Sequence, residues 1–258
     1  MLRSRIIPCL LVHNKGLVKT VKFSVEDGKY VGDPINAVKI FNEKHVDEIM
    51  VLDIDASVTN SEPDYEMIRN VATECRMPLC YGGGVKTVEQ VKHIISLGAE
   101  KVAVSSAAIE DPEVLRKMSA AVGAQSVVLV LDVAKKGTFK KNYELLILNG
   151  KKKTGLKLAD FLQRIKDIPY GEIVINNIDR DGMMNGYDQD LSDLVREQTD
   201  VPMTILGGAA TLDDIKVLVN RYGIVGASAG SLFVFKGKYK AVLINYPMGE
   251  EKKRLYSF

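Results

Sequence analysis

Apolar residues recur along the chain in short, nearly continuous runs. Each run leads into a turn and then a stretch where apolar positions return every three or four residues. The runs cover Arg5–Val12, Glu48–Ile54, Pro78–Tyr81, Lys101–Val104, Ser126–Val133, Glu172–Asn176, Met203–Leu206 and Ile224–Ala227, eight in all. A run such as VVLVLDV, apolar on both alternating faces, fits a strand buried on both sides, as a parallel sheet covered by helices requires. Between the runs lie amphipathic segments such as TVEQVKHIISLG, with Thr87 placed as an N-cap and Gly98 just past the helix end. Eight strand–helix units in 258 residues predict an α/β fold, a single (β/α)8 TIM barrel spanning 1–258. An open doubly wound sheet would need G-x-G-x-x-G after its first strand, and none stands there. No Pro/Gly/Ser-rich linker divides the chain.

The pattern also repeats. Displaced by 124 residues, MPLCYGGGVKTVEQVKHI lies over VPMTILGGAATLDDIKVL, and DEIMVLDID over GEIVINNID. Gly83 and Gly84 then fall on Gly207 and Gly208, Thr87 on Thr211, Glu48 on Glu172 and Asp55 on Asp179. A half-length period reads as two duplicated half-barrels, about 1–122 and 123–245, with 246–258 as a C-terminal tail.

Twofold symmetry predicts two matching ligand sites at the C-terminal ends of the strands, where barrels place their chemistry. YGGGV and LGGAA follow the third and seventh runs, and SSAAI and AGSLF the fourth and eighth. Glycine lets backbone approach a ligand, and bare N–H groups at a helix start attract anions. Taken singly each loop also reads as a tight turn; the matched pairs point instead to a substrate with a phosphate at each end. Composition narrows the rest. Lys plus Arg at 35 against Asp plus Glu at 33 leaves +2, too balanced for a nucleic-acid surface. No 18-residue apolar run exists, so no membrane span is expected, and MLRSRIIPCLLVHNKGLVK reads as a strand rather than a signal peptide. Cys9, Cys75 and Cys80 form neither a disulfide framework nor a zinc pattern. A cytoplasmic protein without metal or cofactor is the expectation.

The motifs RIIPCL, GDP at 32–34, LDIDAS, GGG, IDRDG with GYD, and the closing small-residue turn occur in one order along the chain. With them the sequence resembles the cyclase subunit of imidazole glycerol phosphate synthase over its full length. The resemblance implies a barrel that receives ammonia from a glutaminase subunit at its bottom and conducts it to a phosphorylated small molecule at its top. It implies phosphate binding by Gly84, Ser105 and Ser106 on one side and by Asp181, Gly182, Gly208, Gly230 and Ser231 on the other. The family has Asn-Thr where this chain has Ser105-Ser106. Lys19 matches a lysine that helps cover the substrate, Glu100 an acidic residue at the glutaminase-docking face, and Arg5, Glu48, Lys101 and Glu172 a charged ammonia gate. Two bases against two acids can pair completely, the condition on which buried charge is tolerated.

The family's catalysis uses two aspartates, ending the first and fifth strands, as general acid and base. Asp132 is one; the other position holds Leu11, which cannot transfer a proton. A lost acid or base costs about 10² to 10⁴ in rate. His13 and Asp55 stand near Leu11 in sequence as substitutes, His13 reading rather as a solvated loop residue. Leu11, with IIPCLLVHN, LVKTVKF and GSLFVFKGKYKAVLINYP, also resembles the glycosyl amidation-associated paralogues of bacterial surface-polysaccharide clusters. Those work with a glutaminase and a third, ATP-using sugar amidotransferase that converts an acetamido group to an acetamidino group. An authentic cyclase of histidine biosynthesis and a non-catalytic activator of the glutaminase are the alternative readings. The Lys236–Lys240 cluster reads as a solvated face.

Overall fold

The eight apolar runs close on themselves. In the computed structural model, which describes residues 3–137 and 142–256, they form β1 (Arg5–His13), β2 (Ile49–Asp53), β3 (Leu79–Gly82), β4 (Lys101–Val104), β5 (Val127–Lys135), β6 (Glu172–Asn177), β7 (Met203–Leu206) and β8 (Gly226–Ala229). Each pairs in parallel with the next, and β8 returns to β1 through Arg5↔Gly226 and Ile7↔Ser228, which completes a (β/α)8 barrel. Residues 1–2, 138–141 and 257–258 of the expected domain lie outside the described residues.

Alternation along the strands sorts side chains into two cores. From β1, Ile6, Leu10 and Val12 join the layer between strands and helices, while Ile7, Cys9 and Leu11 join the barrel interior with Met50, Cys80, Val128, Val130 and Val174. The outer layer is covered by α1 (Pro34–Glu43), α2 (Tyr65–Glu74), α3 (Val88–Ser96), α4 (Glu113–Val122), α5 (Leu158–Arg164), α6 (Gln189–Gln198) and α7 (Leu212–Tyr222). Burying a Leu, Ile, Val or Phe side chain contributes about 1.5–3 kcal/mol, so helices such as α1, which buries Val38 and Phe41, are held by packing. Thr87 caps α3 and Thr211 caps α7, each in a capping box closed by Gln90 or Asp214, a local motif repeated at the displacement seen in sequence. Gly98 follows α3 with φ +110°.

Two antiparallel hairpins, which the eight apolar runs do not include, rise from equivalent strands. One pairs Gly16–Val21 with Ser24–Gly32 after β1, and the other pairs Tyr143–Ile147 with Lys152–Lys157 after β5. The first turns at Lys22 and Phe23, both with positive φ (50° and 61°) and neither a residue that signals such a turn. The second did carry a signal, Asn149-Gly150.

The tail returns to the strand-start end as α8 (Gly249–Arg254). There Asp47 accepts hydrogen bonds from Ile6 N–H (3.0 Å), Tyr256 O–H (2.8 Å) and Tyr246 O–H (3.1 Å), and pairs with Lys252 (2.9 Å) and Arg3 (3.1 Å). Residues 236–240 are exposed. No helix among the described residues is long and apolar enough to cross a membrane.

Candidate functional site

At the bottom of the barrel the inward position of the first strand layer, ordinarily Val, Ile or Leu, holds charge. Arg5 donates to Glu48 and, at 2.8 and 3.1 Å, to both oxygens of Glu172. Lys101 donates to both oxygens of Glu48 (2.9 and 2.8 Å) and to Glu172 (2.8 Å). Each cation therefore bridges both carboxylates, and the four residues singled out from sequence form one ring. Glu48 and Glu172 are 2% and 3% exposed, so the pairing is what permits their burial. Burial opposes ionisation of Arg5, Lys101 and Glu172, but the hydrogen bonds and opposite charges outweigh it. They raise Arg5 and Lys101 and lower Glu172. Sequence reasoning missed a fifth member: Thr204 donates to Glu172 at 2.5 Å, and a side chain at Gly226 would occupy the space of its hydroxyl. Glu100 sits beside the ring, exposed, accepting Leu79 N–H at 2.7 Å.

At the opposite end the two glycine-loop groups assemble, but unequally. Gly84, Ser105 and Ser106 line a cavity of about 470 Å³ that also exposes Asp53, Lys86 and Asp132. Ser105 Oγ is buried there without a partner. Gly83 has φ +129°, and a Cβ there would lie 2.5 Å from the carbonyl oxygen of Asp53, so only glycine lets this loop pack on β2. On the other side Asp181, Gly182, Gly208, Gly230 and Ser231 surround only about 10 Å³.

The first hairpin fills the difference. Its Thr20 hydroxyl donates to the Asp181 carboxylate, which also accepts Phe23 N–H at 3.2 Å, and Lys22 N–H reaches the Asp181 carbonyl at 2.8 Å. Lys19, 5% exposed, donates to the Cys9 carbonyl at 2.6 Å and lies against Gly230. Burial lowers the Lys19 pKa, opposed by Cys9 and Asp181; burial likewise raises that of Asp181. Phe23 also lines the larger cavity and was not singled out from sequence.

Between the two sides lies Asp132, 7% exposed, whose Oδ1 accepts the Asn176 amide at 2.8 Å. Burial pushes its carboxyl up to about 6, against the Asn176 hydrogen bond and with help from Asp181. Leu11, 4% exposed, belongs to the apolar interior, in register with Leu52 and Val18. No carboxylate partner stands at its position.

The two sequence substitutes for that partner are now resolved in kind. Asp55 accepts Asn14 N–H at 2.8 Å, and its repeat mate Asp179 accepts Lys135 N–H at 2.7 Å. Asp53 accepts Asp55 N–H (2.9 Å) just as Asn177 accepts Asp179 N–H (3.1 Å). These aspartates tie strand ends to neighbouring loops in both halves, a structural duty shared by a half that has its own inward carboxyl. His13 is not a free loop residue: Nδ1 lies 2.7 Å from Asp55, and the residue is half-buried. Neither lines the cavity. Asp53 does, and its carboxyl is raised by burial.

A closed (β/α)8 barrel with an inward charged ring at one end and a cavity lined by glycine loops and a buried carboxyl at the other has the architecture of a barrel enzyme. A family model described as histidine biosynthesis protein matches residues 5–240. A protein of Vibrio vulnificus (strain YJ016), provisionally named imidazole glycerol phosphate synthase subunit hisF3, is 56% identical over 254 residues, 98% of this chain and 96% of that one. A Leptospira interrogans protein, provisionally named imidazole glycerol phosphate synthase subunit HisF, is 54% identical over 256 residues, 99% of this chain and 100% of its own. The imidazole glycerol phosphate synthase subunit HisF of Natranaerobius thermophilus is 35% identical over 246 residues, covering 95% and 96% of the two chains. The chain belongs to the histidine biosynthesis protein family, among its HisF-like imidazole glycerol phosphate synthase subunits.

Proposed function

We propose that this chain is the synthase-side barrel of a glutamine amidotransferase complex. A glutaminase docks at the strand-start end around Glu100 and the ring of Arg5, Glu48, Lys101 and Glu172. Ammonia passes that ring, as a gate, into the barrel. The top face binds a phosphorylated small molecule through Gly84, Ser105 and Ser106 and, when the first hairpin with Lys19 lifts, through Asp181, Gly182, Gly208, Gly230 and Ser231. The repeated latches support a chain made of two duplicated half-barrels, 1–122 and 123–245, followed by a tail at 246–258.

We further propose that the protein has diverged from ring-forming cyclase chemistry. It then serves amidation of a bacterial surface-polysaccharide sugar, alongside a third, ATP-using amidotransferase. The observation that carries this is Leu11. An apolar pair, Leu11 and Leu52, stands where a second acid–base carboxyl would face Asp132. The buried, raised Asp132 suits a lone acid–base group, and that favours cyclase chemistry as the second reading.

Purified barrel supplied with ammonia and the family's bisphosphorylated ribulosyl substrate separates the two. The expected turnover lies about 10² to 10⁴ below that of a family cyclase carrying both aspartates. Equal turnover would establish the cyclase and defeat the divergence. If turnover is low, stimulation of the partner glutaminase by the barrel is the next expected result, and its absence would defeat the complex itself.

A further inference from the structure

The duplication exposes a difference that no single residue shows. In each half, an inward position near the end of the first strand sits in register with a residue of the next strand. In the first half that pair is Leu11↔Leu52, and in the second it is Asp132↔Asn176. Residues 52 and 176 are themselves related by the repeat displacement of 124. Both members of the first pair are apolar, and both members of the second are polar. The mouth of the barrel therefore has one apolar and one polar pole, and Asn176 belongs to the chemistry of Asp132.

The local geometry gives Asn176 a definite task. It is 1% exposed and spends its amide N–H on Asp132 Oδ1 at 2.8 Å, while its own Oδ1 has no partner. Among the described residues, no other side-chain hydrogen bond reaches Asp132, which lines the open cavity. An asparagine this buried whose second polar atom is unsatisfied costs stability, so the position is not explained by packing, where leucine serves in the first half. We propose that Asn176 is the positioning residue of Asp132: it holds one carboxyl oxygen by a buried hydrogen bond, keeps the other turned to the cavity, and takes the place of the missing second carboxyl in setting how tightly Asp132 holds its proton. This rests on the reading of Asp132 as the acid–base group of the site.

The other groups around Asp132 do not perform that task. Leu146 faces it from the second hairpin, Cys9 from β1 carries a thiol that burial keeps protonated, and Asp181 beyond β6 carries like charge that raises Asp132. Among the described residues, only Asn176 donates a side-chain hydrogen bond that favours the ionised form. Losing a hydrogen bond to a charged group corresponds to a ten- to hundredfold rise in proton affinity, about one to two pH units.

The test is a pH titration of the Asp132 carboxyl by carbon-13 NMR on the whole chain, the resonance identified as the one lost in Asp132→Asn. The unmodified protein should titrate near 6. Asn176→Leu copies the residue the first half already carries, so the barrel should fold, and it should raise that titration by about one unit or more. Asn176→Asp should instead give two coupled titrations separated by more than about one unit, because two adjacent carboxyls cannot ionise independently. A titration near 6 that neither variant moves would overturn the proposal while leaving Asp132 as the acid–base group. A titration near the ordinary aspartate value of about 3.9 in the unmodified protein would defeat the Asp132 reading itself.

Discussion

Removing Arg5 is the most exacting perturbation of the barrel's lower end. Its guanidinium supplies bonds to both buried glutamates, and Arg5→Ala leaves Glu48 and Glu172, 2% and 3% exposed, with Lys101 as their one shared cation in the ring, Thr204 still donating to Glu172. Breaking a buried pair by deleting one partner costs about 3–5 kcal/mol. For a domain of this size each kcal/mol shifts the melting temperature by about 2–4 °C, so Tm should fall by about 6–20 °C.

The pH dependence carries a definite sign. In the unmodified protein Glu172 is held below its ordinary range, so its stabilising contribution is present above the unfolded pKa, about 4.3, and is lost as pH falls through the lower folded value. In Arg5→Ala two like charges crowd one lysine and one carboxyl is pushed up instead, so the deficit is largest at neutral pH and shrinks as pH falls toward about 5. The chain has no tryptophan, so far-UV circular dichroism is the suitable monitor. A Tm within about 1 °C of the parent, or a deficit that does not shrink on acidification, would show that the ring carries neither the charge nor the coupling described.

Gly182 has φ +68° and lies against the Thr20 carbonyl, so Gly182→Ala should cost about 1–2 kcal/mol locally and lift the first hairpin. Hydrogen exchange across Gly16–Gly32 should quicken while the strands stay protected, and unchanged exchange would contradict the packing. Asp47→Ala should lower the urea midpoint by the equivalent of about 1–3 kcal/mol, because Ile6 N–H and Tyr256 O–H lose a buried acceptor. Asp47 is held below its usual range against burial, chiefly by the Ile6 amide. The difference from the parent should therefore vanish as pH falls through the lowered carboxyl value. The double variant Leu11→Asp with Leu52→Asn should gain more cyclase turnover than Leu11→Asp alone, measured with ammonia as nitrogen donor; equal gains would count against the pairing.

The barrel was legible because its determinants are local and periodic. Eight apolar runs and the capping residue Thr87 are written in contiguous stretches, and each run met a barrel strand, although the eighth strand lies two residues later (Gly226–Ala229) than its run Ile224–Ala227; the cap at Thr211 follows from the repeat. The four charges of the ring were named through the family resemblance; the residues themselves showed only that all four stand at strand starts, that Glu48 and Glu172 are repeat-equivalent, and that two of each sign can pair. Thr204 was not legible, because a lone threonine in a buried strand carries no signal until Gly226 is seen to make room for it. The first hairpin escaped for a similar reason: Lys22-Phe23 turns with positive φ at both residues and is fixed by the distant Asp181 rather than by its own chemistry. That same contact accounts for the unequal mouth. Two matching glycine loops promise two matching spaces, yet how much space each encloses depends on a segment well over a hundred residues away.

The repeated latches decide how the Leu11 asymmetry should be understood. Asp55 with Asn14 and Asp179 with Lys135 hold the same backbone contact at 2.8 and 2.7 Å, and the leucine pair and the Asp132 pair are each in register across their strands. The two halves therefore present one frame, and the difference between them is a change of side chains and not a slip of a strand. On such a frame a carboxyl restored at position 11 would occupy the place Asp132 occupies in the other half. Its surroundings would differ, because Leu52 and Val18 offer no donor. A carboxyl buried among apolar groups stays protonated unless it is hydrogen-bonded in its ionised form, so the acid is restored by Leu11→Asp but the base requires a partner at position 52. The proton transfer proposed for Asp132 thus depends on neighbouring strands taken in pairs: the Asp132↔Asn176 pair supplies both a carboxyl and a donor, and the Leu11↔Leu52 pair supplies neither.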